Sequence, residues 1–266
     1  MRSQQQLPDT EIERRGREGR QLRDALAESR VLIVGTGALG CPAAFQLAAA
    51  GVGTLLLLDP DVVELSNLHR QILHRTSTLG VPKVESAAAR LRTLQPDARV
   101  ECHTGRLTAQ NVTRFFRDAD FVIDATDSVG AKFLINDGAV LLRRPYSHAG
   151  VLGFLGQTMT VVPGQTACYR CLFPEPPPAD AIPTCQEAGV IGAVAGVIGS
   201  VQAAEAIKHL AGAAPALADR LLTFDALSRR WRTVALARNP RCPACGEQPS
   251  IAALPGDDAE TMRIHL

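Results

Sequence analysis

From Val31 to Val34 the chain is apolar and largely β-branched, and the run stops at Gly35. The stretch from Cys41 to Ala50 is rich in alanine and apolar, and Gly51 and Gly53 follow it. A short β-branched run, a glycine turn, a longer apolar segment and a glycine stop read as strand, turn, helix and helix end. Leu55 to Leu58 forms a second buried strand closed by Asp59, and Val100 to His103, Phe121 to Asp124 and Tyr146 to His148 are further strand candidates separated by helical stretches. Such alternation predicts an α/β fold with a doubly wound, mainly parallel sheet.

The texture differs at both ends. Residues 1–30 carry many charges and few large apolar side chains, which predicts a helical arm at the surface that depends on something else for its packing. Gly156 to Val162 suggests an antiparallel strand, so the sheet gains an antiparallel extension. Cys168 to Cys171 then opens an irregular region with Pro174, Pro176, Pro177, Pro178 and Pro183, and residues 174–188 are expected to form a mobile loop. A long helix is predicted from about Gly189 to Leu210, followed by strands at Leu221 to Phe224 and Trp231 to Leu236. Residues 31–246 thus form one domain, and 247–266, with Pro255 and Gly256, read as a weakly ordered tail. No internal repeat is evident.

Composition narrows the function. A chain of 266 residues with 46% hydrophobic content can bury a full core. Its 28 basic and 27 acidic side chains balance, so no global field draws in nucleic acid or an anionic membrane, and any phosphate binding must be local. Residues 188–201 form the most membrane-like segment, but it is short and broken by glycines, and a buried helix is the better reading. No apolar stretch resembling a signal peptide lies before residue 30, which predicts a cytoplasmic protein. Of seven cysteines, four fall in two C-x-x-C pairs, Cys168 with Cys171 and Cys242 with Cys245. In a cytosolic chain that arrangement predicts a structural zinc site: four thiolates satisfy a tetrahedral ion and leave no open position for water or substrate.

Gly35-Thr36-Gly37-Ala38-Leu39-Gly40 is a G-x-G-x-x-G turn set between a predicted strand and a helix, the context of a Rossmann-like phosphate loop. Asp59 closes the next strand, where a carboxylate commonly accepts from ribose hydroxyls. These features alone fit a nicotinamide dehydrogenase equally well. The segment Asp59 to Gln71 separates the readings: if it is helical, Asn67, Arg70 and Gln71 share one face, and with Lys83 they supply charge that a triphosphate needs and a dinucleotide does not. Asp124-Ala125-Thr126-Asp127 ends the Phe121 strand, where sites form in open α/β sheets, and Asp127 is suited to magnesium. The plainer alternative is a solvated charged helix, with Lys83 on the surface and Asp127 as a helix cap.

With these motifs in hand, the sequence resembles the ThiF/MoeB/HesA-type adenylyltransferases of molybdopterin and thiamine biosynthesis, relatives of the ubiquitin-activating enzymes. The resemblance runs from about Ser29 to Gly246. It rests on Gly35 to Gly40, Ser66-Asn67-Leu68-His69-Arg70-Gln71, Lys83, Ala125-Thr126-Asp127, Cys168-Tyr169-Arg170-Cys171, Ala188-Gly189-Val190 and Cys242-Pro243-Ala244-Cys245-Gly246. By this resemblance Asp59 binds the ribose of ATP, Asn67, Arg70, Gln71 and Lys83 hold the phosphates, and Asp127 holds Mg2+. It also implies a homodimer and, as substrate, the Gly-Gly carboxylate of a ubiquitin-like sulfur-carrier protein. Twenty residues beyond Gly246 are too few for a fused sulfurtransferase domain, so a separate sulfurtransferase or cysteine desulfurase is expected.

Two positions depart from the family pattern. The usual Arg-Tyr-x-Arg-Gln-like arm reads Glu13-Arg14-Arg15-Gly16-Arg17, which leaves Arg14 and Arg15 both as candidates to reach a partner subunit's ATP. Ser128 stands where relatives commonly have Asn. Relatives also place a cysteine near Cys185, where some join the activated carrier covalently. A thiol near the start of the following helix would have a lowered pKa. Cys41 and Cys102 sit in predicted core elements and are weaker candidates. Two rival functions remain: a catalytically silent zinc scaffold binding a ubiquitin-like partner, and a nicotinamide-dependent oxidoreductase, which leaves Arg70, Lys83 and the paired cysteines unexplained.

Overall fold

A computed structural model describes residues 10–178 and 189–254, with side chains from residue 19 onward. Helix α1 (Thr10–Glu28) precedes β1 (Arg30–Val34), α2 (Gly40–Ala49), β2 (Thr54–Asp59), α3 (Lys83–Leu94), β3 (Arg99–Thr104), α4 (Val112–Arg117), β4 (Phe121–Asp124) and α5 (Val129–Leu141). The hairpin of β5 (Tyr146–Leu152) and β6 (Leu155–Val161) follows. Then come a one-turn α6 (Tyr169–Leu172), α7 (Gly192–Leu210), β7 (Arg220–Asp225) and β8 (Arg230–Ala235).

These strands form one sheet in the order β3-β2-β1-β4-β5-β6-β7-β8. Pairings from β3 to β5 are parallel and those from β5 to β8 antiparallel, so the expected parallel sheet and its antiparallel extension are both present. Alternation along β1 explains why both faces must be covered. Val31 and Ile33 pack with Leu47, Leu91 and Ile198 beneath α2, α3 and α7, while Leu32 and Val34 pack with Phe116 and Ile135 beneath α4 and α5. A parallel strand that is apolar on both faces has no other stable setting.

Arm α1 is tied to this body at its C-terminal end, where Leu26 joins the first core layer. The apolar stretch expected as a buried helix is the start of α7, with Val194, Ala195 and Ile198 buried; among the described residues no helix is long and apolar enough to cross a membrane. Within 247–266, expected to be weakly ordered, Ile251 N donates to Pro243 O and Leu254 is buried, while 255–266 lie outside the described residues.

One expectation is corrected. Residues 59–71 are not a helix; only Leu65–Asn67 makes a 3-10 turn. Val63 N donates to Val81 O and accepts from Gly80 N through its carbonyl, and Val62 bridges Pro82. These pairings hold the start of the segment extended and consume backbone groups a helix would need.

Candidate nucleotide and zinc sites

Strand order reverses at β1, which passes to β2 and β3 on one side and has β4 on the other. The carboxyl ends of β1, β2 and β4 therefore open a crevice at the switch point, where open α/β sheets bind ligands. Gly35 lies there with φ +94°, and a side chain on it would meet Ala125 O at 2.7 Å; one on Gly40 would sit 1.9 Å from Gly35 O. Only glycine permits this turn. Asp59, at the end of β2, braces it: Oδ2 accepts from Thr36 N at 2.6 Å and from Thr36 Oγ1 at 3.0 Å, and Oδ1 accepts from Asp61 N at 2.9 Å.

Although the 59–71 segment is not an α-helix, the turn after Asn67 still brings the expected side chains together. Arg70 N and Gln71 N both donate to Asn67 O. Asn67 Oδ1 accepts from Arg70 Nη2 at 3.0 Å and from Gln71 Nε2 at 3.1 Å, while its Nδ2 donates to Glu64 Oε2 at 3.2 Å. Gln71 is buried against Gly37, whose added Cβ would lie 3.6 Å from Gln71 Nε2, and Gln71 Oε1 has no partner among the described residues. Lys83 is the first residue of α3 and is buried, not superficial; Nζ donates to Asp61 Oδ2 at 2.9 Å.

Across the crevice, Asp124 ends β4 fully buried. It accepts from Thr126 N and Oγ1, from Lys132 Nζ at 3.2 Å and from His148 Nδ1 at 2.8 Å. Burial opposes its charge, but the Lys132 ammonium and the His148 hydrogen bond outweigh it, and the carboxyl is drawn down to about 2. Burial in turn pushes His148 below the usual imidazole range. Three residues on, Asp127 is exposed and has no side-chain partner among the described residues. It is not the helix cap: Ser128 caps α5, its Oγ accepting from Ala131 N at 3.5 Å. Ser and Asn are both strong N-caps, which explains how this position tolerates the exchange.

Cys168, Cys171, Cys242 and Cys245 converge, with all four Sγ atoms within 4.8 Å of one another. Cys168 lies 3.5 Å from Cys242, Cys171 3.4 Å from Cys245 and 4.0 Å from Cys168. Sulfurs about 2.3 Å from a tetrahedral zinc stand about 3.8 Å apart, so the donor set fits the ion. Cys171 Sγ accepts from Asn239 N and Cys242 Sγ from Cys245 N, the contacts that stabilise thiolates. A side chain at Gly246 would lie 2.5 Å from Pro240 O and 2.6 Å from Cys242 O, so the second knuckle closes only over glycine. The first knuckle is moored to α5: Arg170 pairs bidentately with Asp137 at 2.6 and 2.7 Å, and Tyr169 N donates to Asn136 Oδ1.

A family model described as the ThiF family matches residues 10–244. The chain belongs to the ThiF family. A sulfur carrier protein adenylyltransferase of Thermus thermophilus is 44% identical over 232 residues, covering 85% of this chain and 86% of that protein. The adenylyltransferase and sulfurtransferase MOCS3 of Drosophila yakuba is 46% identical over 230 residues, 86% of this chain and 51% of that protein. The chain thus spans about half the length of the MOCS3 relatives it matches. The fold matches the crystal structure of E. coli MccB with ATP at a TM-score of 0.76 and 22% identity, covering 85% of this chain and 68% of that one.

In this ThiF-family chain the structure groups Gly35, Gly37, Gly40 and Asp59 at one end of the sheet, brings Asn67, Arg70 and Gln71 into mutual contact, and packs Gln71 on Gly37. Asp127 enters the same end of the sheet through β4, next to Gly35 by way of Ala125. Arg14 and Arg15 lie on α1, but their side chains are outside the described ones. Cys185 and residues 179–188 lie outside the described residues altogether. Cys41 is no nucleophile candidate: burial pushes its thiol up to about 12, and Sγ donates to Thr36 O. Cys102 is half-buried and raised for the same reason. Sequence reasoning missed Lys132, His148, His74 and Gln202, all buried around the crevice. His74 Nε2 lies 3.0 Å from Thr36 O and Gln202 Nε2 donates to Asp124 O, so both steady the strand ends. A lysine five residues beyond Asp127 in an apolar helix was the available signal for Lys132.

Proposed function

We propose that this chain uses ATP to adenylate the C-terminal Gly-Gly carboxylate of a ubiquitin-like sulfur-carrier protein, preparing it for thiocarboxylate formation. The observation that carries the reading is the joining of Asn67, Arg70 and Gln71, with Gln71 against Gly37 and Lys83 buried in a salt bridge to an exposed Asp61. A nicotinamide site has no use for that density of donors. The Thermus relative, named for this activity and matched over most of both chains, supports the same reading.

The carrier carboxylate is already ionised at neutral pH and needs no general base. One of its oxygens attacks the α-phosphorus, the bond from that phosphorus to the bridging oxygen breaks, and pyrophosphate leaves with the electron pair. The turn amides from Gly37 to Gly40 face the phosphates, those of Gly35 and Thr36 being committed to Leu58 O and Asp59 Oδ2; Asp59 lies beside the ribose, and Asn67 and Gln71 orient the polyphosphate. Arg70 and Lys83 offset the repulsion between two anions and stabilise charge on the five-coordinate phosphorus. Asp127, exposed and without a side-chain partner among the described residues, suits Mg2+, which takes one or two protein carboxylates and completes its shell with phosphate and water. Bound there, the ion would neutralise phosphate charge.

Zinc at the four cysteines would be structural, tying the knuckle of Cys168 and Cys171 to that of Cys242 and Cys245. The active species is a homodimer in which Arg14 or Arg15 enters the other subunit's site. A separate sulfurtransferase or cysteine desulfurase supplies the sulfur, attacking either the acyl adenylate directly or the carrier after Cys185 has displaced AMP to join it covalently. In Cys185→Ser, adenylation survives and thiocarboxylate formation falls; wild-type rates for both stages would make Cys185 a bystander. The reading as a whole is tested by pyrophosphate release from ATP in the presence of an added carrier. Release should depend on the carrier and vanish when its terminal glycine is removed, and release indifferent to that glycine would refute the assignment.

A further inference from the structure

Lys132 is a buried ammonium for which the proposed chemistry has no use. It lies in the first turns of α5, and Nζ meets four acceptors: Asp124 Oδ1 at 3.3 Å and Oδ2 at 3.2 Å, Thr126 O at 2.8 Å and Ala149 O at 2.6 Å. Replacing a buried ion pair with apolar side chains is often neutral or favourable, so stability alone does not account for it. The acceptors share a location. Asp124 ends β4 and Thr126 lies two residues beyond it, Ala149 belongs to β5, and Thr126 O is the carbonyl of the peptide bond that enters Asp127.

The surroundings hold this arrangement from every side. Asp124 also accepts from Thr126 N and from His148 Nδ1. Gln202 on α7 donates to Asp124 O and Ser147 O, and Tyr169 packs its ring on His148 at 4.5 Å. Asp127 itself touches none of these groups: its side chain is exposed and free of partners among the described residues. Its position therefore depends on its backbone, fixed on one side by Lys132 through Thr126 O and on the other by the Ser128 cap of α5.

We propose that Lys132 is a positioning residue for Asp127, clamping the peptide ahead of it to β5 so that the carboxylate is presented to the metal-nucleotide without rearrangement. The inference rests on the reading of Asp127 as the magnesium residue. It acts as outer partners of a metal ligand do, by orientation, and the loss of such a partner costs on the order of 10- to 100-fold in metal affinity.

The test is calorimetric binding of an ATP analogue with a methylene between its α- and β-phosphates, with magnesium and with EDTA. In wild type, magnesium should tighten binding. In Lys132→Met that tightening should shrink by about tenfold or more, while affinity in EDTA stays near wild type; Lys132→Arg, which keeps the donors, should recover most of it. Because Lys132→Met strands the Asp124 charge, the double variant Asp124→Asn/Lys132→Met removes both charges and decides the matter should the single variant not fold. A full magnesium effect in the folded variant, or an equal loss in both buffers, overturns the proposal. Wild type indifferent to magnesium removes the Asp127 reading, and this inference with it, whereas a wild-type effect kept in the variant removes this inference alone.

Discussion

Lys83 and Asp61 form an unequal pair: the lysine side chain is 7% exposed and the aspartate 55%, with 2.9 Å between Nζ and Oδ2. The aspartate holds a buried ammonium in place at the mouth of the crevice without burying its own charge. Lys83→Met should therefore leave the fold intact, since a methionine fills the stem's space. Pyrophosphate exchange should drop about 100-fold or more, the cost of deleting one preorganised group that meets transition-state charge. An exchange rate within a few-fold of wild type would take Lys83 out of the phosphate site.

Asp127→Ala should abolish adenylate formation without a measurable change in melting, because an exposed carboxylate with no side-chain partner among the described residues contributes within about 0.5 kcal/mol to stability. Substantial retained activity would move the metal elsewhere.

Gently purified, metal-replete protein should hold one zinc per chain. Gly246→Ala should lower that stoichiometry, because the new methyl would press on Pro240 O and Cys242 O and open the second knuckle. Chelation should lower the melting temperature and reduce hydrogen-exchange protection most where α5 and the knuckle meet, at the Tyr169 amide bonded to Asn136. Less than half an equivalent of zinc in wild type would exclude the site.

Acid should destabilise the protein in two stages. His74 and His148 are both held below the usual imidazole range, chiefly by burial, so they stabilise the fold above pH 6.5 or so, and this is lost as pH falls through their folded values. Asp124 is drawn from 3.8 to about 2, so its contribution, about 2 kcal/mol, is present above pH 4 or so and fades towards pH 2. Melting temperature followed against pH should show both declines, and Asp124→Asn should remove the lower one. A profile flat from pH 7 to the carboxylate range would contradict the histidine assignments.

Much of this was legible because the signals are local. Phe121 to Asp124 matches its strand to the residue and Val31 to Val34 misses only Arg30 at the start of its own, since an apolar run with a glycine or aspartate stop has one reading in a parallel sheet. The two C-x-x-C pairs likewise announced their meeting. The error over residues 59–71 came from a long-range effect: pairing of Val62 and Val63 with residues 80–82 outcompetes helix formation, and no local spacing reveals it. The contact of Asn67 with Arg70 and Gln71 survived because a single turn sets i, i+3 and i+4 side by side as well as a helix does. Lys132 and His148 went unread for the same reason as Val62: they acquire meaning only when β4 and β5 place Asp124 between them.

The central claim is adenylation of a Gly-Gly carboxylate, and isotope exchange between pyrophosphate and ATP measures it most directly. Exchange should be negligible with the protein alone, appear on adding a ubiquitin-like carrier ending in Gly-Gly, and disappear in Lys83→Met with the same carrier, while nicotinamide dinucleotides fail to bind. Exchange that never depends on a carrier, or nicotinamide binding in the same preparation, would contradict the account.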